Sequence, residues 1–198
     1  GIENNNDFEI EVARFGVNGI QIDNSIKTPP KKHANLTFIQ KTISRIDNDK
    51  NVSLGHLLKI VPKGKRILLK LDIEGSEIDA LNTLSIDELE KVDCLIMELH
   101  NLSRIAEKEF GSELIQLQKK LESANFVSVF CQANNGCLAY NVGGSLLPDN
   151  VELTFVPKKF TRNITKRDLR RIRELTMRNA GNYAIINIDH ILLGDHNH

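Results

Sequence analysis

The run Leu68-Leu69-Lys70-Leu71-Asp72-Ile73-Glu74-Gly75-Ser76-Glu77 starts as an apolar strand and ends in acids grouped about a glycine. Three chemistries suit that ending. Glu77, with Glu74, fits the positive N-terminus of a following helix, Gly75 permitting the tight turn. Asp72 and Glu74 offer oxygen ligands to a divalent cation, with Mg²⁺ as the candidate. Crowded carboxylates also raise one another's pKa, which suits a general base. A capped helix does not require acids so close to a buried strand, so Asp72 and Glu74 are assigned to function, while Glu77 stays open between cap and function.

Glu98-Leu99-His100 is the second chemical grouping. Alternate residues leave a strand on one face, so the carboxylate and the imidazole emerge together. They suit an acid/base pair or a mixed metal site, or they satisfy each other at a strand end. Asp23, with Asn24 beside it, ends an earlier short strand, where a nucleotide-binding domain places an acid for ribose hydroxyls. Asp23-Asn24-Ser25 is equally good turn chemistry. Asn134-Asn135 before Gly136 reads either as a turn or as a pair of donors to a polar ligand.

The elements that would position these groups alternate along the chain. Phe8, Val12 and Phe15 mark one face of a helix closed by Gly16. Strands are expected over 19–23, 36–40, 66–72, 93–100, 126–130 and 151–156. Helices are expected over 53–61, stopped by Pro62, over 76–84 and 86–92, and along Phe110, Leu114, Leu117 and Leu121. The 66–72 strand is apolar enough to be buried on both faces. The segment between the last two strands is a loop rich in Gly and Asn. Strands alternating with helices predict a mostly parallel, doubly wound α/β sheet of Rossmann type, with an antiparallel last strand. In such a sheet ligands bind beyond the carboxyl ends of the strands, where the acids, His100 and the asparagines fall. Gly1-Ile2-Glu3 occupies the place of the glycine-rich first turn, but no GxGxxG is visible and the first strand is expected to be absent.

Bulk composition excludes several classes. The chain has 198 residues, 40% hydrophobic and 26% charged, which suits a soluble globular protein with a sizeable core. Lys+Arg and Asp+Glu are equal at 26 each, so the overall field does not call for a polyanion. No apolar run approaches a membrane span and no signal peptide is present, so no membrane association is expected. Cys94, Cys131 and Cys137 form an odd set without CxxC spacing; they read as buried thiols in a reducing, cytoplasmic compartment. After Lys158 the composition turns basic, with Arg162, Lys166, Arg167, Arg170, Arg171 and Arg173 close together. A basic helical extension over 160–198, packing on a domain formed by 1–159, is the expected organisation.

The same motifs carry a family resemblance. LLKLDIEGSEIDAL resembles the lysine-containing strand and D-x-E-G-x-E turn of FkbM-type S-adenosylmethionine-dependent methyltransferases. DCLIMELH, at 93–100, is similar to that family's strand ending in E-x-H. Ala133-Asn134-Asn135-Gly136 looks like an Asn-Asn loop of related members, and Leu147 to Phe155 resembles a late strand introduced by Leu-Pro and carrying a Glu. The resemblance spans residues 1–159 and leaves out the basic tail. It implies a class I methyltransferase fold, S-adenosylmethionine as methyl donor, and O-methylation of a sugar or other hydroxyl-bearing metabolite. By it, Gly1, Glu3, Asp23, Asn24 and Asp72 would bind the cofactor, Asn134 and Asn135 the acceptor, and Asp72, Glu74, Glu98 and His100 would line the cleft at the transferring methyl.

Methyl transfer needs an oxygen nucleophile held in line with the sulfonium and relieved of its proton. His100, oriented by Glu98, is the first choice of base and Asp72 or Glu74 the second; a Mg²⁺ held by Asp72 and Glu74 would instead acidify the hydroxyl. A rival reading is a degenerate Rossmann-like scaffold holding nucleic acid or another polyanion on its basic C-terminal helix. The neutral charge and scarce aromatics make nucleic acid the weaker partner, below a small-molecule or glycan acceptor. An NAD enzyme is disfavoured by the missing GxGxxG.

Overall fold

The structure is a computed structural model that describes residues 1–134 and 136–161. Asn135 and nearly all of the expected basic extension lie outside the described residues. The chain divides into two compact units, Gly1–Lys63 and Gly64–His198.

In the first unit, helix α1 (Asp7–Arg14) opens with Asp7 and Glu9 near its positive end and stops before Gly16, which takes φ +81°. The expected face is corrected here. The helix buries Ile10 and Ala13, while Phe8 is exposed and Phe15 is 86% exposed. Both stripes have helical spacing, and the small Ala13 lets α1 lie closely on the strands β1 (Gly19–Ile22) and β2 (Leu36–Ile39). These two strands pair in parallel, from Gly19 opposite Leu36 to Ile22 opposite Ile39. A second short parallel pair joins β3 (Thr42–Ile43) and β4 (Asn51–Val52). Helix α2 (Leu54–Ile60) follows, capped by Ser53 Oγ, which accepts the His56 amide at 3.1 Å. It ends before Pro62 as expected.

The second unit holds a four-stranded sheet in the order β5-β6-β10-β7. Its strands are β5 (Ile67–Leu71), β6 (Val92–Leu99), β7 (Phe126–Ala133) and, after the hairpin of β8 (Ala139–Val142) and β9 (Ser145–Pro148), β10 (Val151–Pro157). Between β5 and β6 lie α3 (Glu77–Asn82) and α4 (Ile86–Leu89), the latter with a complete capping box of Ser85 and Glu88. Helix α5 (Lys108–Ser123) buries Phe110, Leu117 and Leu121 and packs on α3, α4 and β7. Leu81, Leu84, Leu89, Val92, Leu95 and Met97 are among the most deeply buried side chains.

The fold is therefore mixed α/β, and the expected mostly parallel sheet is corrected. Within the four-stranded sheet only β5 and β6 pair in parallel; β10 is antiparallel to both β6 and β7. The last strand runs antiparallel as expected, because no crossover helix precedes it. It enters between β6 and β7 rather than joining an edge, so β5, β6 and β7 still run one way without all being neighbours. Val151 at the start of β10 stands beside Leu99 and Ala133, near the carboxyl ends of β6 and β7. Two smaller expectations change as well. β5 is an edge strand of this sheet, with Leu68 45% exposed, and so is not buried on both faces. The Gly/Asn-rich loop contains the β8–β9 hairpin, whose turn residues Gly143 and Gly144 take φ +60° and +87°.

Candidate functional site

The carboxyl ends of the parallel neighbours β5 and β6 bring Asp72, Glu98 and His100 together. One ligand atom from each lies within 4.8 Å of the others. The β6 pattern explains part of this: Leu95, Met97 and Leu99 turn into the core, so Glu98 leaves on the opposite face. His100, one residue beyond the strand, is only 7% exposed.

The imidazole is held from both sides. Nδ1 lies 3.0 Å from Glu77 Oε1, and Glu77 is 1% exposed. Nε2 faces Glu74 Oε2 at 3.5 Å and Glu98 Oε1 at 3.8 Å. Glu77 Oε1 also accepts the Ile73 and Gly75 amides at 2.9 and 3.2 Å, so one buried oxygen closes the turn and fixes the ring. Burial, the largest influence on both groups, disfavours their charges, but the partners outweigh it. The hydrogen bond with Glu77 and the charges of Glu77, Glu98 and Glu74 push His100 up to about 9. The same bond and the backbone amides hold the Glu77 carboxyl below its ordinary value.

Glu98 is anchored in turn. Its Oε1 accepts from Asn134 Nδ2 at 2.7 Å and Asn150 Nδ2 at 3.3 Å. Asn134 is itself fixed, because its Oδ1 accepts the Gly136 amide at 2.8 Å. Asn134 thus forms the turn of its motif and gives its side-chain amide to Glu98, whereas Asn135 lies outside the described residues.

The turn between β5 and α3 depends on its backbone. Glu74 takes φ +55° and Gly75 φ +97°. A Cβ on Gly75 would run into the side-chain amide of Asn101, which is itself left-handed at φ +64°. Gly75→Ala is therefore expected to lower stability by about 1–3 kcal/mol, through the positive φ and the clash together. Urea unfolding with Ser76→Ala as a control checks this; equal midpoints for the two variants would refute the clash.

In the other unit, Asp23 is buried and its carboxylate is filled by the chain itself. Oδ2 accepts the Ile2 and Glu3 amides at 2.8 and 3.0 Å; Oδ1 accepts the Ser25 amide at 2.7 Å and the Ser25 hydroxyl at 2.6 Å. Burial raises its pKa, yet these donors hold it well below the usual carboxylate range. Asp23 thus fixes the Ile2–Glu3 turn, in which Glu3 takes φ +38°. Asn24 Nδ2 donates to Thr42 Oγ1 at 2.6 Å. Asn6, fully buried, clasps Lys31: its Nδ2 donates to the carbonyl at 2.8 Å and its Oδ1 accepts the amide at 3.1 Å.

Sequence reasoning left Glu77 undecided and did not single out Asn150. The signal for Glu77 was its spacing, five residues beyond Asp72 and two past Gly75. The signal for Asn150 was its place immediately before the last strand. The cysteines Cys94, Cys131 and Cys137 are all free, and burial raises Cys131 to about 11, so it is a poor nucleophile. No helix among the described residues is long and apolar enough to cross a membrane. Neither a protein-family model nor a curated protein matches the chain.

Proposed function

We propose that the chain is an S-adenosylmethionine-dependent O-methyltransferase acting on a hydroxyl of a small-molecule or glycan acceptor. The observation that carries the reading is the meeting of Asp72, Glu98 and His100 at the carboxyl ends of two parallel neighbouring strands. The motifs that resemble the FkbM-type family supply those same residues, and Asn150, immediately before the antiparallel last strand, donates to Glu98. With that activity goes the finer architecture of a class I methyltransferase.

The residues suit a positively charged donor. Four acids, Asp72, Glu74, Glu77 and Glu98, gather about a single imidazole. A sulfonium group is favoured in such a field, and S-adenosylmethionine supplies an electrophilic methyl. The oxygens of Asp23, in the other unit, are already taken up by amides and a hydroxyl of its own unit. In the transfer itself, Asp72 takes the acceptor's hydroxyl proton, and Glu98, braced by Asn134, orients the acceptor. His100 with a proton on both nitrogens is an orienting donor at neutral pH. The sequence-based preference for His100 as base therefore gives way to Asp72 in this proposal.

Calorimetric titration of the chain with S-adenosylmethionine and S-adenosylhomocysteine, with NAD as control, tests the reading. Saturable binding of both sulfur compounds, weakened for S-adenosylmethionine in Asp72→Asn, is expected. Heat with NAD alone, or with none of the three, would overturn it.

A further inference from the structure

We propose that Asp72, Glu98 and His100 form a binding site for one divalent cation of the borderline kind, Mn²⁺ or Zn²⁺. Three features support this beyond the presence of acids. First, the donor set is mixed, two carboxylates and one imidazole, with ligand atoms within 4.8 Å of one another. Atoms bound at about 2.0–2.2 Å around a common ion stand about 3–4 Å apart, so only small adjustments separate this arrangement from coordination. Second, His100 is almost fully buried, yet its Nε2 faces carboxylate oxygens at 3.5 and 3.8 Å, longer than hydrogen bonds. A nearly buried ring nitrogen aimed at carboxylates from beyond hydrogen-bond range is placed as a ligand would be. Third, residues outside the trio hold the ligands. Glu77 fixes Nδ1, leaving Nε2 toward the trio, and Asn134 and Asn150 both donate to Glu98 Oε1. Metal-bound histidines characteristically give their other nitrogen to a carboxylate, and ligating carboxylates are hydrogen-bonded in turn.

The chemistry of the set selects the ion. Mg²⁺ and Ca²⁺ prefer all-oxygen shells, whereas an imidazole beside carboxylates favours Mn²⁺ or Zn²⁺. Glu74, whose side chain is 74% exposed, reaches His100 from the solvent side and is not part of the trio. The site thus differs in both ligands and ion from a Mg²⁺ held by Asp72 and Glu74. The trio is the one the proposed methyl transfer uses, but the cation is bound by this chain's own residues with no methyl donor present, so metal binding and methyl transfer fail separately.

The test is metal binding to the chain stripped with chelator. Titration with Mn²⁺ should show one saturable equivalent, with Mg²⁺ at least about tenfold weaker, and the isosteric variants Asp72→Asn and Glu98→Gln should each lose about 10–100-fold in affinity. A measurement that needs no variant runs alongside: electron spin-echo modulation of bound Mn²⁺ on chain labelled with ¹⁵N-histidine should show a directly coordinated histidine nitrogen. Absence of saturable Mn²⁺ binding, absence of nitrogen coupling, or affinity unchanged in both variants would overturn the proposal.

Discussion

Glu77→Gln is expected to cost on the order of 3–5 kcal/mol of folding stability, the usual result of breaking a buried charged pair from one side. Glu77 is 1% exposed and His100 7%, so water cannot replace the lost partner. Glutamine still accepts the Ile73 and Gly75 amides, which isolates the charge from the shape of the turn. The pH dependence gives the sharper test. The Glu77 carboxyl lies below its ordinary 4.5 in the folded chain, so its contribution is complete above 4.5 and fades as pH falls below it. His100 is raised from 6.5 to about 9, so its contribution is complete below 6.5 and is lost as pH climbs toward 9. The urea midpoint of metal-free protein should therefore be flat between 4.5 and 6.5 and decline on either side. In Glu77→Gln the alkaline decline should shrink, because only Glu98 and Glu74 still favour the imidazolium. If variant and parent fall in parallel from 6.5 to 9, the pair does not carry that stability.

The site was more legible in the sequence than the sheet was. Asp72, Glu98 and His100 stand at ends of apolar strands, and polar residues at such ends are visible in a local pattern. Glu77 was harder, because an acid in the first turn of a helix looks the same whether it answers the helix dipole or a buried histidine. The difference lies in His100, which is 23 residues away. Asn150 was out of reach for a similar reason: it meets Glu98 only because β10 slots between β6 and β7 in one register, and strand order leaves no local mark. That insertion is also why a helix–strand alternation suggesting parallel neighbours gave a sheet with antiparallel pairings. In α1 the fault was a choice between two valid stripes. Phe8, Val12 and Phe15 carry more apolar area than Ile10 and Ala13, but close approach to a strand favours the small residue. Asp23 shows the limit of residue type as a guide. An acid at a strand end suits ribose hydroxyls and backbone amides alike, and only the positions of Ile2, Glu3 and Ser25 decide between them.

On the proposed reading, Asp72→Asn should lower kcat for methyl transfer by about 10²–10⁴-fold, the range lost with a proton-accepting group. The amide keeps the size of the carboxylate but neither takes a proton nor attracts a cationic donor. The two roles separate kinetically: loss of the proton acceptor lowers kcat, whereas loss of the charge raises KM for S-adenosylmethionine. Glu98→Gln should act mainly on the acceptor's KM, since Glu98 is braced by Asn134 and Asn150. Asn134→Ala should follow it in the same direction with a smaller effect, because Asn150 still holds the carboxylate. His100 supplies the decisive comparison. With its proton held up to about 9, an enzyme using it as base in the absence of metal would gain rate until that pH. With Asp72 as the acceptor, the rate gains nothing as pH climbs toward 9. A pH–rate profile that climbs through the alkaline range in both parent and Asp72→Asn would return the proton to His100 and remove Asp72 from that role.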